Sequence, residues 1–170
     1  MNTNIIDKLA HSLGRRDEVP NHELANAIVQ SIDNEAVIEL VENLYHKSKD
    51  IQNDCIKVIY EIGTLKPEMI ADFSSELIDL LDSKNNRLQW GAMTALNAIT
   101  TIKPKEIYNA LPKIITTADK GSVITNDHCV GIMIKLCGVK EYNENVFPLL
   151  IGQLLKSPDN LRSRDLTQID

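Results

Sequence analysis

Gln52–Pro67 (QNDCIKVIYEIGTLKP) recurs 37 residues later as Gln89–Pro104 (QWGAMTALNAITTIKP) and, more loosely, as Asn126–Glu141 (NDHCVGIMIKLCGVKE). Laid over one another, the blocks align Cys55, Ala92 and Cys129; Val58, Ala95 and Ile132; Ile59, Leu96 and Met133; and Ile62, Ile99 and Leu136. Small and large apolar residues return at fixed offsets, which marks a tandem array whose units bury their apolar faces against one another.

Working outward from these blocks, a second track keeps the same period. Leu40, Leu77, Ile114 and Ile151 coincide, as do Leu44, Leu81, Ala118 and Leu155, and Ala36, Phe73, Ala110 and Phe147. The period therefore predicts helix pairs at 34–47 with 51–65, 68–82 with 87–102, and 105–118 with 125–138, then a last helix near 143–156. Pro67, Pro104 and Pro158 fall at or just beyond helix ends, where the missing N–H is tolerated. Ahead of the regular units, Asn4–Leu13 reads as a short amphipathic helix stopped by Gly14, and 21–32 as a second helix. Leu24, Ala25 and Ile28 match the later blocks only at an offset of 34, an irregularity expected of an end repeat.

Composition supports an all-α reading. The 170 residues are 43% hydrophobic and 25% charged, with only 4% aromatics, seven Gly and six Pro, so the core is aliphatic and rarely interrupted. Residues 1–156 form one repeat domain; 157–170 form a polar tail or a short cap, with Leu166 and Ile169 one period after Cys129 and Ile132. Lys plus Arg number 18 against 24 Asp plus Glu, so no basic excess favours nucleic acid as a partner. Met1–Ala10 carries Asp7 and no long apolar run; neither a signal peptide nor a membrane span is expected, and a cytoplasmic location fits best. Cys55, Cys129 and Cys137 read as small buried thiols, since neither Cys-x-x-Cys spacing nor a His at a ligand interval suggests a metal, and no cofactor is expected.

The stretch Leu80–Leu96 (LLDSKNNRLQWGAMTAL) resembles the HEAT repeat, whose pattern runs Leu-Leu-x-Asp, a short turn, then Val-Arg-x-x-Ala-x-x-Ala-Leu. Ala110–Ile115 (ALPKII) is similar to the proline-bearing first helix of that repeat, while Gln89 and Asn126 stand where the family usually has Arg. The resemblance covers about residues 34–156. It implies a right-handed α-α superhelix of the armadillo-like kind, with second helices lining the concave side.

On the helix at 87–102 the apolar stripe is Leu88, Ala92, Ala95, Leu96 and Ile99, which leaves Trp90, Thr94, Asn97 and Thr101 on the other face. Asn53, Lys57, Tyr60 and Thr64 are their counterparts in the preceding pair; Asp127, Gly131, Ile134 and Gly138 are those in the following one. Asn53, Lys57, Tyr60, Trp90, Thr94, Asn97 and Asp127 are thus the candidate binding residues, with Trp90 as the anchor for a peptide or a partner helix. The competing reading has Trp90 fold over the neighbouring helix to fill a gap. Glu35/Asp72, Glu39/Glu76 and Glu42/Asp79 form an acidic ladder that suits either a basic partner or a solvated face.

No Ser/His/Asp, Cys/His or glycine-rich phosphate signature appears, and His11, His22, His46 and His128 are scattered. The expectation is a non-enzymatic scaffold or adaptor that binds a protein or peptide. The alternatives are a HEAT-like DNA glycosylase using Trp90 with Asp127, or a ligand-handling lyase of the same architecture. A wide apolar stripe of Phe147, Leu150, Ile151, Leu154 and Leu155 further suggests cover by the tail or by a second copy in a homodimer.

Overall fold

The computed structural model describes residues 4–156, and among these every element is helical. They are α1 (Val19–Ser31), α2 (Asn34–Glu42), α3 (Lys49–Leu65), α4 (Ser74–Asp79), α5 (Asn86–Ile99), α6 (Pro104–Lys120), α7 (Val123–Cys137) and α8 (Lys140–Lys156), with short 3-10 turns between them. The chain is an all-α, helical-repeat-like protein. Helices α1, α3, α5 and α7 pack in succession as one row, α2, α4 and α6 each lie against the next helix in that row, and α8 lies against α7.

The period predicts burial well. Cys55, Ala92 and Cys129 are fully enclosed, as are Val58, Ala95 and Ile132, and one apolar cluster runs from Ile5 to Leu154. Burial pushes the Cys55 and Cys129 thiols up to about 12, so both are inert packing groups at neutral pH. Close approach of α3 and α5 depends on Gly91, where a Cβ would sit 2.5 Å from Ile56 Cγ1.

Two predicted helices are broken up. The chain at 68–82 is divided into 3-10 turns at Pro67–Met69, Ala71–Phe73 and Leu80–Asp82 around the six-residue α4, with Ile70 wholly in the core over Gly63. At the start, only Ile5–Lys8 forms a 3-10 turn; Leu9 then extends, and side chains capture the backbone that follows. Asn21 Oδ1 accepts from Ala10 N–H at 2.9 Å, and Asp54 Oδ2 accepts from His11 N–H at 2.7 Å. Gly14 does adopt the positive φ expected of a stop. Two members of the acidic ladder have partners within the chain, since Glu39 accepts from Ile5 N–H at 2.9 Å and Asp72, itself exposed, pairs with Lys103 at 2.8 Å. Leu161, Leu166 and Ile169 lie outside the described residues.

Candidate binding face

The polar face of the α1–α3–α5–α7 row divides into two seams. In the α3–α5 seam, Lys57 Nζ lies 2.9 Å from Glu18 Oε2, just before α1, and 2.9 Å from Glu61 Oε1 one helical turn away. Burial by itself would lower the Lys57 pKa, yet its bonds to Glu18 and Glu61 outweigh that and raise it; the same bond to Lys57 lowers Glu18. The clamp extends to His22, whose Nδ1 is 3.3 Å from Glu61 Oε2, and to Arg87, 3.4 Å from Glu18 Oε1. Lys57 also sits 4.9 Å from the centre of the Tyr60 ring, a cation–π distance. Tyr60 and Trp90 pack tilted at 49° with centroids 5.5 Å apart.

This corrects the expectation that Tyr60 is accessible. Tyr60 is only 8% exposed, because the Trp90 ring from the next helix lies against it, while Trp90 itself is half-buried against the core. The gap-filling reading of Trp90 is therefore part of the picture: its ring packs, and its open remainder borders a small polar cleft lined by Asn86, Gln89, Lys120, Ser122 and Thr125.

The α5–α7 seam is built differently. The Thr94 hydroxyl donates to Trp90 O at 2.9 Å and lies 3.0 Å from His128 Nε2, while Asn97 Nδ2 lies 3.1 Å from His128 Nδ1. Since the single hydroxyl proton is committed to Trp90 O, His128 Nε2 carries the proton that reaches Thr94, and Nδ1 accepts from the Asn97 amide. With the Asn97 amide turned this way, both ring nitrogens are satisfied in the neutral imidazole. Burial lowers the His128 pKa, Lys135 lowers it further, and Asp127 opposes them. Lys135 Nζ donates to Asn97 O at 2.6 Å, and burial lowers its pKa as well. Gly131 makes room for the amide, for a Cβ there would lie 2.8 Å from Asn97 Nδ2.

The predicted residues thus fall into separate groups. Lys57, Tyr60 and Trp90 meet in the first seam, Thr94 and Asn97 meet in the second, and Asp127 acts there through its charge beside His128. Asn53 is diverted, since its Oδ1 accepts from the side chain of Asn85, the residue that caps α5, at 2.9 Å. Sequence reasoning missed Glu18, Glu61, His128 and Lys135. Only Glu61 carried a local signal, its i+4 spacing from Lys57; the others are joined across helices at offsets that differ from the repeat. No group of three or more His, Cys, Asp or Glu able to hold a metal occurs among the described residues, and none of their helices is long and apolar enough to cross a membrane.

No family model matches the chain, and no curated protein matches it. Among solved structures it is similar to two crystal structures of engineered proteins from the Northeast Structural Genomics Consortium. One has a TM-score of 0.66 at 18% identity, covering 98% of this chain and 80% of the other; the second has 0.64 at 18%, covering 98% and 78%. At that identity the likeness extends to the fold alone: this is an all-helical chain with the same overall path as those two proteins.

Proposed function

We propose that the chain is a non-enzymatic interaction scaffold, a right-handed HEAT-like superhelix that binds a protein or peptide on the face of the α1–α3–α5–α7 row in the cytoplasm. The observation that carries this reading is the Tyr60–Trp90 pair. The open part of the Trp90 ring, held in place by Tyr60, loses little entropy on binding, and the adjacent Lys57–Glu18–Arg87 charges supply a polar rim. The rim carries both signs, which suits a polypeptide of mixed charge better than a polyanion.

The test is affinity capture with the full chain, read by quantitative mass spectrometry and followed by a direct titration with the purified partner. A protein held by wild type and by Trp90→Phe, but lost with Trp90→Ala, supports the reading. Equal retention by all three variants sinks it. Small-angle scattering checks the architecture, because a curved superhelix and a closed helical bundle of equal mass differ in radius of gyration.

A further inference from the structure

The period places Glu61, Ala98 and Lys135 at one position of α3, α5 and α7, so the charge at that position inverts along the polar face of the row. Glu61 is answered twice, by Lys57 Nζ at 2.9 Å and by His22 Nδ1 at 3.3 Å. Lys135 has no such answer.

Lys57, Lys103 and Lys113 are partly buried lysines, and each reaches a carboxylate: Glu18 and Glu61 at 2.9 Å, Asp72 at 2.8 Å and Asp82 at 2.7 Å respectively. Lys135 is partly buried as well, but its Nζ donates to a neutral group, Asn97 O at 2.6 Å, and among the described residues no carboxylate pairs with it. An ammonium has three donors, so two remain for a ligand, and a charge drawn out of water without a counter-charge is costly. Burial accordingly holds the Lys135 pKa below its ordinary value, with no neighbouring carboxylate to raise it. Asp127 stands eight residues earlier on α7, about 12 Å along the helix, and its charge acts on His128 instead.

The bond to Asn97 O also fixes where this charge lies. Asn97 is seven residues after Trp90 on α5, which puts the ammonium about 10 Å along the helix from the aromatic anchor. Between them the floor is Thr94, Asn97 and His128, whose side chains are bonded to one another. In the polyproline conformation common in short free peptides, side chains three residues apart share a face and stand about 9 Å apart, close to that span.

We infer that the peptide bound on this face carries an acidic residue at a set place: it lays an apolar side chain on the open part of Trp90 and brings an Asp or Glu carboxylate, three residues away, to the two remaining donors of Lys135. The inference rests on the peptide-binding reading above and adds the partner's chemistry to it. The cation of the first seam, Lys57, is neutralised from within the chain; that of the second is neutralised by the partner.

The probe is a random twelve-residue peptide library displayed on phage and selected on the immobilised full chain, with the enriched sequence then made as a fluorescein-labelled peptide and titrated by anisotropy. The selected peptides should pair an apolar residue with Asp or Glu three positions away. Replacing that acid by its amide should weaken binding to wild type by at least about tenfold, and binding to Lys135→Met by less than about twofold. Lys135→Arg, which keeps the charge, should retain the preference for the acid, and Lys105→Met on the outer side of α6 should behave as wild type. The comparison of acid with amide on the wild-type chain needs no variant to fold, and the melting temperature of Lys135→Met checks that one. Peptides that are lost with Trp90→Ala yet show no acidic position, or an amide penalty equal on wild type and Lys135→Met, overturn this inference and leave the scaffold reading standing. No enriched peptide, or peptides indifferent to Trp90→Ala, overturn the scaffold reading and this inference with it.

Discussion

The α3–α5 and α5–α7 seams occupy equivalent places in the repeat and are held by unlike chemistry. The first is tightened by a missing side chain at Gly91 and covered by an aromatic pair beside a doubly paired lysine. The second carries a neutral imidazole between a hydroxyl and an amide, with Asn97 Oδ1 left buried and without a hydrogen-bond partner among the described residues. The period fixes where backbones meet and which positions are apolar. It leaves the polar side of each seam free to diverge, so one seam is held by paired charges and the other by a neutral imidazole.

Leu96 is wholly buried on α5, the helix that the two seams share. Leu96→Ala should show the largest effect, a loss of about 2–5 kcal/mol through lost burial and a residual cavity, read from urea unfolding. A loss below about 1 kcal/mol would mean that Leu96 is not enclosed in the core of the array.

The next largest effects separate the seams. Gly91→Ala drives a Cβ onto Ile56 Cγ1 rather than onto a mobile chain end, and should cost about 1–3 kcal/mol by overpacking. His128→Ala strands the Thr94 and Asn97 groups and should cost a similar amount, about 1–3 kcal/mol, by a different route. The routes part with pH. The folded pKa of His128 lies below its ordinary value of 6.5, so as pH falls through 6.5 the unfolded chain takes up a proton that the folded chain refuses. Stability contributed by neutral His128 is full above that value, declines below it, and levels off once the folded imidazole also protonates. Melting curves between pH 5 and 8 should therefore fall more steeply for wild type and Gly91→Ala than for His128→Ala. Parallel curves would remove the imidazole from the α5–α7 seam as a titrating group.

How much of this was legible in the sequence follows from the same contrast. Cys55, Ala92, Leu96 and Cys129 were placed correctly because burial in an array is set by helix face and period, both visible in one strand of text. Tyr60 was misplaced because a helical face says which way a side chain leaves its own helix and nothing of what the next helix lays over it; here that is Trp90, thirty residues on. His128 was passed over for the same reason, since its partners Thr94 and Asn97 stand at offsets of 34 and 31 rather than 37. The break at Ile70 and the early end of the first helix were hidden too, because apolar spacing reports which side chains are buried and not where the backbone leaves the helical hydrogen bonds, as it does at Leu9.

The smallest effects test whether the charges of the α3–α5 seam act as a clamp or merely lie near one another. Lys57 is mostly shielded between two carboxylates, so Lys57→Met should cost about 1 kcal/mol, part of it from Glu18 and Glu61 left facing each other. Arg87 reaches the same Glu18 at 3.4 Å from a half-exposed position, where solvent screens the pair and side-chain entropy opposes it. Arg87→Ala should change stability by less than about 0.5 kcal/mol, and raising the salt concentration should erase even that difference. In the double variant the two losses should add, because Lys57 already holds Glu18 at 2.9 Å and the weaker contact contributes little to its placement. A coupling above about 0.5 kcal/mol in that cycle would show instead that Arg87 positions Glu18 for Lys57, making the three charges one unit that joins the start of α1 to both α3 and α5.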